Sequence, residues 1–413
     1  MVIAVINPNE KSMCSGCMAC VNSCPVNAIT IVRDSEGFYY PEIKKEKCVD
    51  CGMCEKVCQY RNRQELDTIE PCGAFIVQNT DMLVLKKSTS GGFFYSLCKY
   101  VISRNGVVYG AILDKDLKVR HSRACTMEEC FAFLGSKYVQ SDITGIYQKV
   151  KSDLSDNKPV CFSGTPCQVA GLFKCFTKKP DNLILLDIVC HGVASPLVWE
   201  KYVEFERKDK NDTITDVEFR SKKYGYQNSC MHISFSNRET YGTSRSNPYL
   251  KVFYSHIALR PSCYNCAVKS VRHNSDFTIF DSWEAYKFAK EDNDLGYTNV
   301  IVQTQQGMNI ITQLEQIKKW EVELQDILPK NGGMVLKSAS MNSNRNNFFS
   351  SLSEKGFKVS FDQYLPFKKT DRIVEKLKMT VGRIPLFRLI SKQKRKKQLL
   401  SQGKSLSTAA DRQ

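Results

Sequence analysis

The chain has 413 residues, including 59 lysines and arginines, 43 acidic residues and 19 cysteines, and a formal net charge of +16. This length allows two or three domains with separate cores. No stretch approaches the roughly 20 apolar residues of a membrane span, and the start, MVIAVINPNEKSMC, lacks the basic head and apolar core of a signal peptide. We therefore predict a cytoplasmic protein whose thiols bind metal, since disulfide scaffolds are typical of short secreted chains.

Two cysteine runs near the N-terminus share the spacing C-x-x-C-x-x-C-x-x-x-C. In two-cluster ferredoxins, three cysteines of one such run hold one 4Fe-4S cluster and the fourth crosses to the other cluster. Paired zinc ribbons, the alternative, use separate C-x-x-C pairs at longer spacing. The predicted ligands are Cys14, Cys17, Cys20 and Cys58 for the first cluster, and Cys24, Cys48, Cys51 and Cys54 for the second.

The two runs predict that residues 1–62 form an N-terminal bacterial dicluster ferredoxin-like domain. AITIV and GFYY between them are strand-like and are separated by a turn signal. One departure from the motif is Gln59, which replaces the proline that usually follows the fourth cysteine. A polar stretch then leads to residue 73, where a different pattern begins.

From residue 73 to about 330, strand and helix patterns alternate, which predicts a mixed α/β body and an α+β protein overall. Helices are predicted after STSGG, around residues 143–154 and 168–176, and in PLVWEKYVEFE, which has Ser195 as its cap. PYLKVFYSHIAL and MNIITQLEQIKKW are predicted as two further helices. The predicted strands are GAFIVQN, VVYGAIL, PVCFSG, LILLDIV, DVEFRS, MHISFS, DFTIFD and NVIVQT.

The stretch STSGG, at residues 88–92, places hydroxyl groups and small residues just before a predicted helix. Free backbone N–H groups and the helix dipole at such a position favour an anion such as a nucleotide phosphate. An ordinary helix cap is the alternative, because serine and glycine are common at helix starts. No G-x-G-x-x-G dinucleotide motif follows a strand anywhere in the chain.

Four further cysteines could form a third metal site. Cys167 and Cys190 each follow a predicted strand, and Cys263 and Cys266 form another C-x-x-C pair. Four thiolates are enough for a third 4Fe-4S cluster, and the same ligands suit zinc. Buried structural thiols are the third alternative for Cys167 and Cys190.

The C-terminal part is strongly basic. Residues 368–397 contain twelve lysines or arginines and two acidic residues, which accounts for about ten of the sixteen net positive charges. A nucleic-acid-binding protein usually spreads basic and aromatic residues over a folded face, so no nucleic-acid partner is predicted. A basic amphipathic tail can lie on the inner face of an anionic membrane, and a solvated extension is the alternative.

Several strings in this order resemble the coenzyme F420 hydrogenase/dehydrogenase beta-subunit family, over about residues 10–300. The strings are STSGG, VVYGAIL, GSKYVQSDI, FSGTPCQVAGL, DIVCHGVASP, FRSKKYGY and RPSCYNC followed by DFTI. The resemblance implies two consecutive domains like those of the beta subunit, at residues 73–155 and 156–330, and leaves residues 331–413 as an extension with the basic tail. The chain departs from the family pattern at Ala194, Tyr226 and Phe280–Glu284, on the side where a substrate is expected.

The resemblance also implies that the body binds FAD. The implied contacts are Ser88, Ser90, Gly91 and Gly92 for the phosphate and ribose groups, and Lys137 and Tyr138 for the flavin. It favours a third 4Fe-4S cluster at Cys167, Cys190, Cys263 and Cys266.

We therefore expect an iron–sulfur flavoprotein oxidoreductase. Electrons would pass between a ferredoxin-like partner, the 4Fe-4S clusters and FAD, which would exchange hydride with a small organic substrate such as a coenzyme F420-type molecule. A flavin belongs between clusters and a hydride acceptor because it can move one or two electrons. The alternatives are an electron-transfer subunit of a larger redox complex without its own substrate, and a membrane-peripheral accessory protein of polysaccharide synthesis.

Overall fold

The computed structural model describes residues 8–62, 70–207, 212–289, 293–328 and 333–381. The strands in these ranges are β1 Ile29–Arg33, β2 Tyr39–Ile43, β3 Gly73–Asn79, β4 Val107–Leu113, β5 Val119–Ala124, β6 Val160–Gly164, β7 Leu183–Ile188, β8 Ile214–Ser221, β9 Cys230–Phe235, β10 Glu239–Gly242, β11 Phe277–Ser282, β12 Tyr297–Val302 and β13 Ile317–Val322. The helices are α1 Ala19–Asn22, α2 Met53–Lys56, α3 Met82–Lys87, α4 Phe93–Ile102, α5 Met127–Phe131, α6 Ile146–Ser155, α7 Pro166–Phe173, α8 Pro196–Glu206, α9 Pro248–Tyr254, α10 Gln305–Gln313, α11 Leu324–Ile327, α12 Gly333–Leu336, α13 Arg345–Tyr364 and α14 Asp371–Val381.

The N-terminal module repeats one backbone arrangement twice. The short helices α1 and α2 each lie inside a cysteine run, and the antiparallel hairpin β1–β2 connects the two runs. Each helix follows a residue with left-handed backbone: Met18, at φ 58°, and Gly52, at φ 67°. These two residues occupy equivalent places in the two runs. The backbone therefore reproduces the internal repeat of the sequence.

A mixed eight-stranded sheet forms the centre of the body, in the order β13-β3-β12-β11-β7-β6-β4-β5. The pairs β4–β6, β6–β7 and β7–β11 are parallel, and the remaining pairs are antiparallel. Strand β3 lies between β12 and β13, so the ranges 73–155 and 156–330 contribute strands to the same sheet. The division between these two ranges stays a prediction.

A second core lies beside the three-stranded sheet β10-β9-β8. Helix α8 packs there against α13, and the Tyr202 and Phe357 rings are 5.3 Å apart between their centres. Ser195 caps α8 as predicted, since its hydroxyl accepts from the N–H groups of Leu197 and Val198. The range predicted as an extension thus contains a helix that is part of the core.

One helix prediction was wrong at its end. Residues 317–320 were predicted as the end of a helix, but the helix stops at Gln313 and Ile317–Val322 is the edge strand β13. Pairing with β3 outweighs the helical spacing there. Helix α3 was not predicted, although Asp81 caps it through the N–H groups of Leu83 and Val84.

The basic tail lies outside the described residues from position 382 onward. Within the described ranges, no helix has the length and apolar character required to cross a membrane.

Candidate functional site

The structure brings the four predicted ligands of the first cluster together. The pKa of the Cys17 thiol is raised to about 12, mainly by burial, and the nearby thiols of Cys14 and Cys58 raise it further. The pKa of the Cys20 thiol is raised by burial and by the same neighbours. Cys58, which comes from the second run, therefore lies beside the three cysteines of the first run.

The second predicted set lies nearer the surface. Cys51 is exposed, and Cys24, Cys48 and Cys54 are partly exposed. Burial raises the pKa of Cys54, with a smaller contribution from Cys51. A backbone N–H, that of Ala28, points at the Cys24 sulfur at 3.2 Å. Such donors are the kind that stabilise a thiolate bound to a cluster.

Four cysteines that are far apart in sequence form the third set, which we call the four-cysteine site: Cys167, Cys190, Cys263 and Cys266. Strands β6 and β7 are parallel neighbours, so the segments that follow them meet at one edge of the sheet. Cys167 lies in the first turn of α7 after β6, and Cys190 lies two residues after β7. A 3₁₀ turn at Pro261–Asn265 supplies the C-x-x-C pair.

The four thiols line a small internal cavity together with Tyr60 of the N-terminal module. Burial raises the pKa of Cys190 and of Cys263 to about 12, and neighbouring cysteines of the set raise each further. Burial thus favours the protonated form of the Cys190 and Cys263 thiols, and binding of a metal group would release those protons.

Cys17 is among the groups that raise the pKa of Cys167, so the four-cysteine site adjoins the first cluster site. Among the described residues, no three Cys, His, Asp or Glu side chains converge on the position of one metal ion. The ligands of a 4Fe-4S cluster bind four separate iron atoms and need not converge in that way.

A large cavity of about 940 Å³ lies on the other side of the four-cysteine site. Five of the six residues expected to contact FAD line it: Ser88, Ser90, Gly92, Lys137 and Tyr138. The sixth, Gly91, lies between Ser90 and Gly92 and has its backbone against β3 and β12. This volume is at the upper end of the usual range for ligand pockets.

The STSGG loop, residues 88–92, is held in place by β12. Thr298 Oγ1 accepts a hydrogen bond from Gly91 N at 2.9 Å and is 2.9 Å from Ser90 Oγ. A Cβ on Gly91 would lie 2.3 Å from the Val77 carbonyl oxygen, so only glycine fits there. The loop therefore has a fixed position at the cavity wall.

Helix α4 begins at this loop without a side-chain cap, because its N-cap residue is Gly92, at φ 78°. Ser88 Oγ is buried and has no hydrogen-bond partner. Ser88, Gly92 and the first residues of this ten-residue helix line the cavity, but the Ser88 hydroxyl itself is inaccessible. Gly92 is an ordinary helix cap, as the alternative interpretation of the sequence had it, and a phosphate contact at this loop stays a prediction.

Lys137 and Tyr138 form another part of the wall. Lys137 Nζ donates to the carbonyl oxygens of Ala132 and Leu134, both at 2.9 Å, and burial lowers its pKa to about 7. A lysine ammonium has three donors, so one donor is left over for the cavity. The Tyr138 ring stacks on Phe253 at 4.3 Å between centres.

Lys222 was not singled out from the sequence, although it lies in the quoted string FRSKKYGY. Its Nζ donates to the carbonyl oxygens of Leu85, Ser90 and Leu295. Burial lowers its pKa to about 7, and the charge of Arg220 lowers it further. Lys222 thereby ties the STSGG loop to α3 and to the segment before β12.

The departures from the family pattern at Tyr226 and Phe280–Glu284 lie together: Phe280–Glu284 line the large cavity, and Tyr226 is buried behind Trp283. Tyr226 stacks on Trp283 at 4.7 Å between ring centres and donates to Asp281 at 3.0 Å. Arg220 pairs with the same carboxylate at 2.5 Å. Ala194, the third departure, is fully buried and pairs with Leu259, away from these side chains.

The large cavity and the four-cysteine site share a wall formed by Val189–Val193, Met334 and Val335. His191 lies in this wall with Nδ1 3.2 Å from the Met334 sulfur. The arrangement is a continuous series of sites: the first cluster site, the four-cysteine site and then the large cavity.

Comparison with known proteins agrees with parts of this description. Residues 157–327 match the family described as the C terminus of the coenzyme F420 hydrogenase/dehydrogenase beta subunit, and residues 13–62 match the 4Fe-4S dicluster domain. A chain from the F420-reducing NiFe hydrogenase complex of Methanosarcina barkeri is similar at 17% identity, covering 66% of this chain and 90% of that chain, with a TM-score of 0.47. No curated protein matches the chain.

The two family matches confirm the resemblance drawn from the sequence. They also confirm an iron–sulfur module at the N-terminus and a relation to oxidoreductase subunits.

Proposed function

We propose that this protein is an iron–sulfur flavoprotein oxidoreductase. Two 4Fe-4S clusters of the N-terminal module would receive electrons from a ferredoxin-like partner or deliver them to it. A third cluster at the four-cysteine site would connect them to FAD in the large cavity. Bound FAD would supply the exchange between single electrons and hydride, with a small organic molecule as substrate.

The observation that carries the proposal is the wall shared by the four-cysteine site and the large cavity. A group bound by the cysteines and a ligand in the cavity would be separated by one layer of protein. The groups at the cavity suit a dinucleotide: the N-terminus of α4 favours a phosphate, and Lys137 can donate a hydrogen bond to a carbonyl oxygen of a flavin ring.

The protein side chains would position the ligands and control the polarity of the site. Lys222 holds the STSGG loop, and Trp283, which stacks on the buried Tyr226, offers an exposed aromatic ring where the substrate would enter. Among these residues we identify no acid–base pair for a separate chemical step, which fits a reaction driven by its cofactor.

The decisive experiment is anaerobic purification of the full chain with quantification of iron, sulfide and flavin, followed by EPR of the dithionite-reduced protein. We expect one FAD and roughly twelve irons per chain from three cubanes. Absence of flavin would reject the flavoprotein, and eight irons with zinc would reject the third cluster.

A second function is an electron-transfer subunit of a larger redox complex with no substrate of its own. The family description names a beta subunit, which favours this alternative. Such a protein would copurify with a partner and would not reduce small acceptors alone. We propose a cytoplasmic location for either function. Removal of residues 366–413 tests peripheral membrane contact through the basic tail: release of the protein from membranes would support that contact, and an unchanged distribution would reject it.

A further inference from the structure

Arg260 is a fully buried arginine located between the first cluster site and the four-cysteine site. Its Nε donates to the Cys14 carbonyl oxygen at 2.7 Å, and its Nη2 lies 3.6 Å from the Cys14 sulfur. Its Nη1 donates to Gln140 Oε1 at 3.0 Å. Its own carbonyl oxygen accepts from Cys263 N at 2.9 Å.

No carboxylate in the described part of the chain forms an ion pair with this guanidinium. Arg345, another buried arginine, differs because Glu36 accepts from both of its terminal nitrogens, at 2.7 and 2.6 Å. A buried charge without a counter-charge is costly. Arg260 Nη2 also donates to the Tyr39 carbonyl oxygen at 3.0 Å, and the faces of Tyr40 and Phe38 lie 4.1 and 5.5 Å from the guanidinium carbon. These neutral partners satisfy the hydrogen bonds of the guanidinium but supply no counter-charge.

Gly16 in the first cysteine run makes this close approach possible. A Cβ at residue 16 would lie 3.0 Å from Arg260 Cζ and Nη1 and 2.8 Å from Gln140 Nε2. The residue also has φ +70°, which favours glycine. The backbone conformation of Gly16 and its lack of a side chain thus allow the Arg260 guanidinium to approach the first cysteine run at Cys14.

We propose that the buried Arg260 guanidinium is the counter-charge of the cluster at Cys14. It acts as a positioning residue for electron transfer, because it raises the reduction potential of that cluster. A cluster held by thiolates gains one negative charge on reduction, and a nearby cation with a hydrogen bond to a ligand sulfur raises its reduction potential. The inference rests on the proposed function in taking Cys14 as a cluster ligand. It does not require FAD or the third cluster.

The test is a spectroelectrochemical and EPR redox titration of the purified holoprotein and four variants. R260Q removes the charge, R260K retains it, and Q140E introduces a carboxylate of the same shape that neutralises it in place. R345Q is the matched control, since it removes one positive charge from another buried arginine. Iron is measured for every sample, so that a lost cluster is not mistaken for a shifted potential.

We expect R260Q and Q140E to make reduction of the affected cluster at least tenfold less favourable, which is 59 mV for a one-electron couple. R260K should shift the reduction potential of this cluster by less than half as much, and R345Q should leave that potential unchanged. The second N-terminal cluster, predicted at Cys24, Cys48, Cys51 and Cys54, provides an internal reference, because its reduction potential should not change. If R260Q loses iron, the potential of the Q140E variant tests the proposal instead, because that variant neutralises the charge while keeping Arg260.

Unchanged potentials in iron-replete R260Q and Q140E would overturn the proposal. Equal shifts in R260Q and R260K would overturn it too, because they would assign the effect to packing instead of charge. A wild-type protein without flavin, or with eight irons, would reject the proposed function while leaving this titration interpretable at the N-terminal module.

Discussion

The outer and inner cysteine sites of this protein differ in what surrounds them. Around the outer set, Cys51 is exposed and the apolar side chains of Val49 and Met53 are 60% and 40% exposed. The four-cysteine site is lined by the sheet edge, by Tyr60 of the N-terminal module and by the wall shared with the large cavity, and none of its cysteines is exposed. A site that exchanges electrons with a separate protein must lie near the surface, whereas a site that serves an internal cofactor must be shielded from water. The contrast therefore predicts different consequences when each end is altered.

The largest effect is expected at the inner site. Cys263→Ser should remove the third cluster, lowering iron from roughly twelve to eight per chain, because four thiolates are needed to hold one cubane. Reduced ferredoxin should then no longer reduce the flavin. Iron analysis and stopped-flow absorbance check both points, with exposed Cys72→Ser as the control. Full iron content in the Cys263 variant would contradict a cluster bound at the four-cysteine site.

The next largest effect is expected at the STSGG loop, which lines the large cavity. Gly91→Ala should destabilise the protein by about 1–3 kcal/mol, because its Cβ would meet the backbone of β3 and β12. Thermal unfolding measures this loss, and flavin content should fall with it. Gly73→Ala is the matched control, since its Cβ would meet side chains and no backbone: the flexible Met308 side chain at 3.2 Å and the Phe75 ring at 3.5 Å. Equal stability of the two variants would contradict a rigid loop.

Lys222→Met should weaken FAD binding about tenfold, or about 1.4 kcal/mol. The substitution removes three hydrogen bonds from a charged donor, one of which holds the Ser90 carbonyl oxygen. Flavin titration of the apoprotein measures the change. Exposed Lys223→Met serves as the control, and an equal loss there would point to general charge instead of loop anchoring.

The smallest effect is expected at the outer site. Val49→Glu should slow electron exchange with a ferredoxin severalfold without changing iron or flavin, because it places a charge on the exposed apolar surface beside Cys48 and Cys51. Rates at several ionic strengths measure it. Val32→Glu, at another exposed valine of the module, is the control. An unaffected rate at Val49 would place the docking surface elsewhere.

Most local features were predictable from the sequence because their determinants lie close together in the chain. The Ser195 cap of α8 and the buried strands β6 and β7 depend on neighbours within a few residues. The prediction failed at Ile317–Val322, where pairing with a strand more than 230 residues earlier decides the conformation. Lys222 was missed because its three carbonyl partners lie in three separate segments.

The sequence by itself determined the dicluster module, because the spacing of cysteines within one short run defines which sulfurs can reach one cluster. It also named the four cysteines of the inner site and the STSGG loop, but left their roles open. Only the tertiary structure decided that these parts adjoin, since parallel pairing of β6 with β7 brings Cys167 and Cys190 to one sheet edge. Packing likewise decided the position of Arg260, whose hydrogen-bond partners come from the first cysteine run, from Tyr39 in β2 and from Gln140.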